Sequence, residues 1–513
     1  MALSLSRVVL TNLRYSTKIS RFLRCLLPLR RSYTNTSDTA TVKSPELNPF
    51  TELYDLAPVI PLNGHAVIPI YTPDEFYNTL KSSILQAKDR IFLSALYIGS
   101  AELDLVNSIR EALENNSKLR VHILMDCLRG TRGSENSPAS LLTPLVRDFK
   151  DRVHISLYHT PDLTGILKRT LPQRFNEGIG LQHIKAYGFD NNLVLSGANL
   201  SSDYFTNRQD RYIYFGDAPE LTDYFAKLLE TISSFSYYID ASRHSESGPY
   251  SLRIPANSVD PVRQSIAFKS LASKRMRNFI QRWIQQAPSS RIYQSPTSND
   301  TLVMPLIQMG PLGIRQDEVV TLRLLDIVQR NSIENPWSVA LTSGYFNFEK
   351  KYKERVLKMN SSFRILTAAP EANGFFNSKG VSRHLPAAYT YIEHNFYNEI
   401  KKRNKLDKII IEEYNRPGWT YHAKGLWCTP AQDELPCLTM VGSPNFGHRS
   451  MERDLEAQVI MISKNEKLRA MLRKELDLLR NYCDPVDDNT FLQPERQVPY
   501  LVRVATSVVR TML

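Results

Sequence analysis

Two octets in this chain share the pattern His-x-Lys: HIKAYGFD, which starts at His183, and HAKGLWCT, which starts at His422. In an extended strand, residues i and i+2 point to the same face. His183 and Lys185 therefore stand side by side, as do His422 and Lys424. An imidazole beside an ammonium on a rigid backbone suits a phosphoryl group: the ring attacks or moves a proton while the cation holds an oxygen. One His-x-Lys alone carries almost no information. Here each copy is followed by an apolar strand that ends in small residues and an Asn, LVLSGAN with Gly197 and Asn199, and LTMVGSPN with Gly442, Ser443 and Asn445. Asp210 lies eleven residues beyond Asn199, and Glu456 lies eleven beyond Asn445. The Asn amide can donate to a phosphate oxygen. A carboxylate that accepts from the second ring nitrogen fixes the histidine tautomer. The copies differ at one end: the first octet closes on Asp190 and the second on Thr429, with Asp433 nearby but out of register.

Elements able to hold such groups recur in the same order. RIFLSALYIG reads as a buried strand, ELDLVNSIREALENN as an amphipathic helix and LRVHILMD as the next strand. Later, WSVALTSGYFN, FEKKYKERVLKMN and FRILTAAP repeat strand, helix and strand. A β–α–β order implies a parallel or mixed sheet covered on both faces. The octet occurs twice because the whole unit does. We divide the chain into a first half over 38–240, a connecting segment over 241–290, a second half over 291–490 and a tail over 491–513.

The chain has 513 residues and a net charge of +12, which favours an anionic partner without choosing among nucleic acid, lipid surface or phosphorylated substrate. Residues 1–37 carry seven basic side chains and no acid, in a setting of Ser, Thr, Leu and Val. That composition is expected of a mitochondrial transit peptide, with RRSYTNTSDT as its processing zone. Its removal would lower the excess from +12 to +5. No apolar run approaches the ~18 residues that span a bilayer. The five cysteines form no CxxC pair, so neither a disulfide framework nor a zinc site is expected. In the connecting segment, Met276, Phe279, Ile280 and Trp283 share one face of a basic helix with Lys269, Lys274, Arg275, Arg277 and Arg282 mostly elsewhere. The helix either docks that face in the core or lies on an anionic membrane, and docking is the simpler expectation. The tail VPYLVRVATSVVRTML is a second surface-binding candidate.

These paired half-sites resemble the phospholipase D superfamily. The blocks LPQRFNEGIGLQHIKAYGFD, FTNRQDRYIYF, PLIQMGPLGIRQDE, WTYHAKGLW and TMVGSPNFGHRSMERDLEAQ are similar to its eukaryotic mitochondrial phosphatidylglycerophosphate synthase branch, over roughly 50–490. The resemblance implies an α/β fold of two phospholipase D-like repeats, each a mixed sheet flanked by helices, related by a pseudo-two-fold axis around one active site. It implies transfer of a phosphatidyl group from CDP-diacylglycerol to glycerol 3-phosphate through a phosphohistidine. The catalytic set would be His183, Lys185, Asp190, His422, Lys424, Asp210 and Glu456, with His183 as nucleophile because its half-site is complete. In the superfamily the octet's Asp mainly braces the backbone while the downstream acid orients the histidine. Glu456 would then keep His422 working despite Thr429.

Phosphate would be held by Asn199, Ser443, Asn445, Arg208, Arg211, Arg449 and Arg453, the arginines suiting a phosphorylated acceptor by bidentate pairing. The stretch SALYIGS over 94–100 (Ser94, Tyr97, Gly99, Ser100) would offer backbone N–H groups at a strand-to-helix turn to the nucleotide phosphates. No metal is required, since lysines supply the positive charge; a divalent cation at the pyrophosphate would be stimulatory. The partners expected are the two substrates and an anionic membrane surface on the matrix side of the inner membrane, with no nucleic acid. A nuclease or phosphodiesterase would use the same half-sites, but no stripe of interleaved basic and aromatic residues accompanies them. Another acceptor such as serine would make a phosphatidylserine synthase.

Overall fold

The computed structural model describes residues 48–170, 176–242, 249–286 and 299–512. The transit-peptide expectation and Cys25 fall outside these. Two sheets dominate, of nine and ten strands. In the first, Tyr237–Asp240, Val153–Tyr158, Arg120–Asp126, Arg90–Ser94, Ala186–Phe189, Asn192–Ser196, Tyr212–Phe215 and Val67–Ile70 lie side by side in that order. In the second the order is Cys483–Pro485, Ile409–Tyr414, Ser362–Ala368, Ser338–Ser343, Lys424–Thr429, Leu438–Gly442, Leu455–Ser463 and Thr301–Met309. Each sheet has three parallel strands followed by an antiparallel run. The mixed sheet expected from the recurring strand–helix order is therefore present twice with one topology.

The sequence explains the layers. Central strands such as Ala186–Phe189 and Lys424–Thr429 are buried on both faces, as continuous apolar runs require. Behind the first sheet, Phe76, Leu80, Leu105, Ile109, Leu142 and Leu145 of three helices pack on Ile91, Leu93, Val121 and Ile123. Behind the second, Val320, Leu324, Val356, Phe396 and Ile400 pack on Val339, Leu341, Phe363 and Ile365. A third buried cluster is shared by both sheets, joining Leu193, Leu195 and Ile213 to Trp427, Val441 and Val459.

Three expectations need correction. The halves do not divide at the expected boundaries. Residues 48–62 belong with the second sheet: Ile60–Leu62 pairs with Thr301–Val303, and Phe50, Leu53 and Tyr54 enter that sheet's core. The first sheet also runs past 240, because Ser251–Arg253 pairs with Tyr238–Asp240. The apolar Phe50, Leu53, Tyr54, Ala57 and Val59, all buried with that sheet, explain the first exchange. Third, the strand in RIFLSALYIG stops at Ser94, and its remainder turns toward the site.

The basic helix, Ser265–Gln286, docks its apolar face. Phe268, Ala272, Met276 and Phe279 are buried, and Phe279 and Trp283 pack on the Tyr224 ring at 5.1 Å each. No helix among the described residues is long and apolar enough to cross a membrane.

Candidate active site

Both His-x-Lys pairs lead into a central strand: His183 and Lys185 come just before Ala186–Phe189, and Lys424, two residues after His422, opens Lys424–Thr429. The segment ahead of each histidine pairs not within its own half but with the other. Leu455 N–H donates to Leu181 O (2.8 Å) and His183 N–H to Leu455 O (2.8 Å). In the mirror arrangement, Thr420 N–H donates to Asn207 O (3.0 Å) and His422 N–H to Gln209 O (2.8 Å). These short parallel pairings bring each histidine beside the acid of the opposite half. His183 Nδ1 lies 3.0 Å from both Glu456 carboxylate oxygens. His422 Nδ1 lies 2.6 Å from Asp210 Oδ2. The expectation that Glu456 serves His422 is therefore corrected: the acids are exchanged across the interface. The cause is register, because the strand carrying each acid is the one that meets the other half's histidine segment.

The two carboxylates have no exposed side-chain surface. Burial raises Glu456 and pushes Asp210 up to about 6. Burial and the adjacent lysines hold both imidazoles well below their usual value. The neutral rings therefore donate Nδ1–H to the acids and keep Nε2 as a lone pair. Lys424 is lowered to about 8 by burial; its Nζ donates to His422 O (2.7 Å) and lies against the His422 ring, 2.8 Å from Nδ1 and 3.1 Å from Nε2. Lys185 Nζ is buried with no hydrogen-bond partner among the described residues, and burial holds its pKa well below the usual value. An orphaned buried amine costs stability and calls for an anionic oxygen. The pairings of Gln182 with Leu455 and of Tyr421 with Gln209 cross between the halves and set the two half-sites side by side.

Supporting groups fix these positions. Ser443 hydrogen-bonds both N–H and C=O of Ala457 (3.2 Å each) and, with Ser450, Glu456 itself. Asn199 Oδ1 accepts from Leu96 N–H (3.3 Å) and its amide donates to Tyr204 Oη (3.2 Å). Asn445 Oδ1 is buried with no hydrogen-bond partner among the described residues. Gly197 permits the close approach at the first half: a Cβ there would stand 2.7 Å from Asp210 Oδ1 and 3.1 Å from Lys424 Cδ. Asp126, raised to about 7 by burial, accepts from Gln182 N–H (3.0 Å) and so steadies the residue before His183.

Several expected residues sit elsewhere or do other work. Asp190 is at the far end of the hairpin from His183. With φ of +51°, it accepts from the N–H groups of Lys88 (2.8 Å), Asp89 (2.8 Å) and Arg90 (3.1 Å), which is bracing and not chemistry. In the longer second hairpin Asp433 pairs with Arg469 and caps Leu435 N–H (3.0 Å), stiffening a loop whose Asp190 counterpart is Thr429. Arg211 is removed from the phosphate set. It is fully buried, bidentate to Glu475 (2.9 and 2.8 Å), donates to Met440 O (2.6 Å) and stacks 3.8 Å from the Trp427 ring. Arg453 Nε donates to Thr511 O (3.0 Å) at the C-terminus. Arg208 and Arg449 do reach the site: Arg208 lies 4.7 Å from the Tyr204 ring, and Arg449 Nε donates to Asp454 (3.0 Å). In the turn over 94–100, the N–H groups of Ala95, Leu96 and Gly99 already donate to Leu124 O, Asn199 Oδ1 and Leu200 O, so these three do not serve a phosphate. Ser94 is a core residue, donating to Ile184 O (3.0 Å).

The tyrosines were missed. Tyr204 and Tyr345 stand edge-on to the His422 ring at 5.2 and 5.5 Å, and Tyr204 Oη is 3.4 Å from His422 Nε2. Tyr345 in turn packs on Tyr389 at 5.5 Å. A signal existed. Ser94 pairs with Ala186 and Thr342 with Gly425, each one residue past a motif lysine. That register makes Tyr97 and Tyr345 equivalent, so SALYIG and TSGYFN are the same turn. His183, Asp454 and Glu456 present donor atoms within 4.8 Å of one another. Asp454, however, is engaged by Arg449 and by Leu181 N–H (2.9 Å), and Glu456 by His183, Ser443 and Ser450. Ringed by Lys185, Lys424 and Arg449, the set fits an oriented imidazole better than a cation.

No family model matches the chain. Curated relatives cover most of it. It is 40% identical over 487 residues to the mitochondrial CDP-diacylglycerol–glycerol-3-phosphate 3-phosphatidyltransferase of Gallus gallus, covering 90% of this chain and 86% of that one. To the Homo sapiens protein of the same name it is 39% identical, covering 90% and 85%. To the Dictyostelium discoideum protein named as a probable enzyme of this kind it is 39% identical, covering 92% and 83%. Among solved structures, phosphatidylserine synthase of Haemophilus influenzae superposes with a TM-score of 0.66 at 19% identity, over 91% of this chain and 99% of that one. At that identity the likeness is one of fold.

Proposed function

The chain belongs to the CDP-diacylglycerol–glycerol-3-phosphate 3-phosphatidyltransferase family, and on that premise we propose that it transfers a phosphatidyl group from CDP-diacylglycerol to glycerol 3-phosphate by double displacement on His183. The observation that carries the mechanism is the pair of neutral imidazoles, each held by the other half's buried acid.

In the first step His183 Nε2 attacks the phosphorus that bears the diacylglycerol. The P–O bond to CMP breaks as the P–N bond forms, and the positive charge that develops on the ring is met by Glu456. CMP leaves as a phosphate monoester with a second pKa of about 6, so it needs little protonation. In the second step His422 Nε2 takes the proton of a glycerol hydroxyl, the oxygen attacks phosphorus and the P–N bond breaks. His183 fits the first role. Nothing among the described residues hydrogen-bonds its Nε2, whereas Tyr204 and Lys424 flank that of His422. Lys185 and Lys424 stabilise the equatorial oxygens, and the binding of a dianion restores the charge that burial disfavours. Arg208 and Arg449 hold the acceptor's phosphate. That favours a phosphorylated acceptor over serine, and unlabelled serine should not compete.

The reaction requires no metal, because the lysines do this work; a divalent cation stimulates at most through the pyrophosphate. Activity that survives exhaustive chelation supports this, and complete loss restored by Mg²⁺ overturns it. The protein acts in mitochondria, bound peripherally to the matrix side of the inner membrane, as the composition of residues 1–37 and the names of the relatives support. Fusing residues 1–37 to a reporter tests the import. For the chemistry, purified His183→Ala should form no labelled lipid adduct and release no CMP. Normal turnover by that variant would refute the assignment.

A further inference from the structure

The C-terminal helix, Tyr500–Val509, is amphipathic with its apolar side outward. Thr506 is its buried residue, while Leu501 (78% exposed), Val504 (47%) and Val508 (77%) form an i, i+3, i+7 stripe facing solvent, with Tyr500 at its head. Exposed apolar side chains standing singly need no explanation, but a contiguous stripe does. Arg503 on the same helix and Arg510 at its C-cap are turned toward its Thr506 side, and no acid follows Glu495 in the sequence. A second segment has the same character. Residues 372–392 contain no acid; Phe376 (44%) and Val381 (66%) are exposed, with Lys379 and Arg383 beside them.

Both segments pack on the helix Leu385–Lys402 and both border the site. A Cβ on Gly374 would stand 2.8 Å from Tyr345 Oη and 3.2 Å from an Arg208 guanidinium nitrogen. Tyr389 of the intervening helix packs on Tyr345. The C-terminal end is fastened to the same rim: Asn347 Nδ2 donates to Arg510 O (2.8 Å), Arg510 Nε to Asn347 Oδ1 (3.0 Å) and Arg453 Nε to Thr511 O (3.0 Å). By contrast, the more basic helix Ser265–Gln286 has spent its apolar face on the core.

We propose that the segment 372–384 and the helix Tyr500–Val509 form one docking surface for an anionic bilayer, which sets the mouth of the active site against its lipid substrate. Apolar side chains entering the headgroup boundary, flanked by cations without acids, are what an interfacial surface requires. The inference rests on the proposed function only in taking the substrate to be a diacylglycerol lipid.

The test uses the purified protein and two kinds of vesicle, phosphatidylcholine alone and phosphatidylcholine mixed with phosphatidylglycerol. Co-flotation is measured for the parent, for Leu501→Asp/Val508→Asp and for Phe376→Asp/Val381→Asp. Turnover is measured on long-chain CDP-diacylglycerol in vesicles and on a short-chain, water-dispersed analogue. The parent should bind the anionic vesicles, more weakly at high salt, and each pair of substitutions should lower binding by about tenfold or more. Long-chain turnover should fall in parallel, while short-chain turnover stays within about twofold. Undiminished flotation of both variants overturns the proposal. So does equal loss on both substrates, which would place these residues in the mouth itself. So does a shift of the variants from dimer to monomer with flotation intact, which would make the surface a contact between copies. If the parent turns over neither substrate but still floats as described, the docking surface stands and the functional reading fails.

Discussion

Exchanging the oxygen for nitrogen in each orienting acid separates the two chemical steps. Glu456 has no exposed surface and meets His183 Nδ1 with both oxygens at 3.0 Å. In Glu456→Gln, an amide N–H directed at that nitrogen favours the opposite tautomer, with the proton on Nε2, and removes the attacking lone pair. Loss of an orienting carboxylate in a comparable triad costs about 10⁴-fold in rate, so about 10³–10⁴-fold is expected here, or ~4–5.5 kcal/mol of barrier. Because the acids are exchanged between halves, this loss should fall on the first step. A rapid-quench assay without acceptor should show a burst of CMP and labelled adduct in the parent and none in Glu456→Gln. Asp210→Asn, which disturbs His422, should retain most of the burst and lose transfer to glycerol 3-phosphate. Both changes are isosteric, and thermal melts check that each variant folds. The reverse pattern, a burst surviving in Glu456→Gln and lost in Asp210→Asn, would refute either the cross-over or the assignment of His183.

The other expectations follow from single groups. Asp210 is needed as the anion and is protonated as pH falls through about 6, while Lys424 is needed as the cation and is deprotonated as pH rises through about 8. The profile of kcat/KM should therefore be bell-shaped, highest near pH 7; a flat profile from pH 6 to 9 contradicts these roles. Gly197→Ala places a methyl 2.7 Å from Asp210 Oδ1 and should lower kcat about 100-fold by displacing the carboxylate, measured beside a melt that shifts little. Arg208→Met should raise KM for glycerol 3-phosphate about tenfold or more with CMP release intact. Arg211→Met should leave that KM unchanged and instead destabilise the fold by ~3–5 kcal/mol through the abandoned Glu475, read by urea unfolding. Phe279→Ala should cost ~3–5 kcal/mol without altering vesicle binding, because that helix face is in the core.

Much of this arrangement was legible in the residues. Equal eleven-residue offsets from Asn199 to Asp210 and from Asn445 to Glu456 exposed the duplication, because a five-residue helix, Ser202–Thr206 in one half and His448–Glu452 in the other, spaces those groups. What escaped depends on partners distant in sequence. Spacing within a half says nothing of the pairing between halves, so the sequence assigned Glu456 to its own histidine. Arg211 and Arg208 look alike on the chain, and only the buried Glu475 264 residues away distinguishes them. Asp190 shows its bracing role only through the N–H groups of Lys88, Asp89 and Arg90, a hundred residues earlier. The exchange of residues 48–62 into the second sheet hid because a three-residue edge strand has almost no periodic signal.

The stereochemical course at phosphorus tests the two-imidazole mechanism most directly. With CDP-diacylglycerol made chiral at the phosphorus next to the diacylglycerol, attack by His183 and then by the glycerol oxygen inverts the centre twice. The product should show net retention. Net inversion would mean that glycerol 3-phosphate displaces CMP in one step, with no bond ever formed to His183.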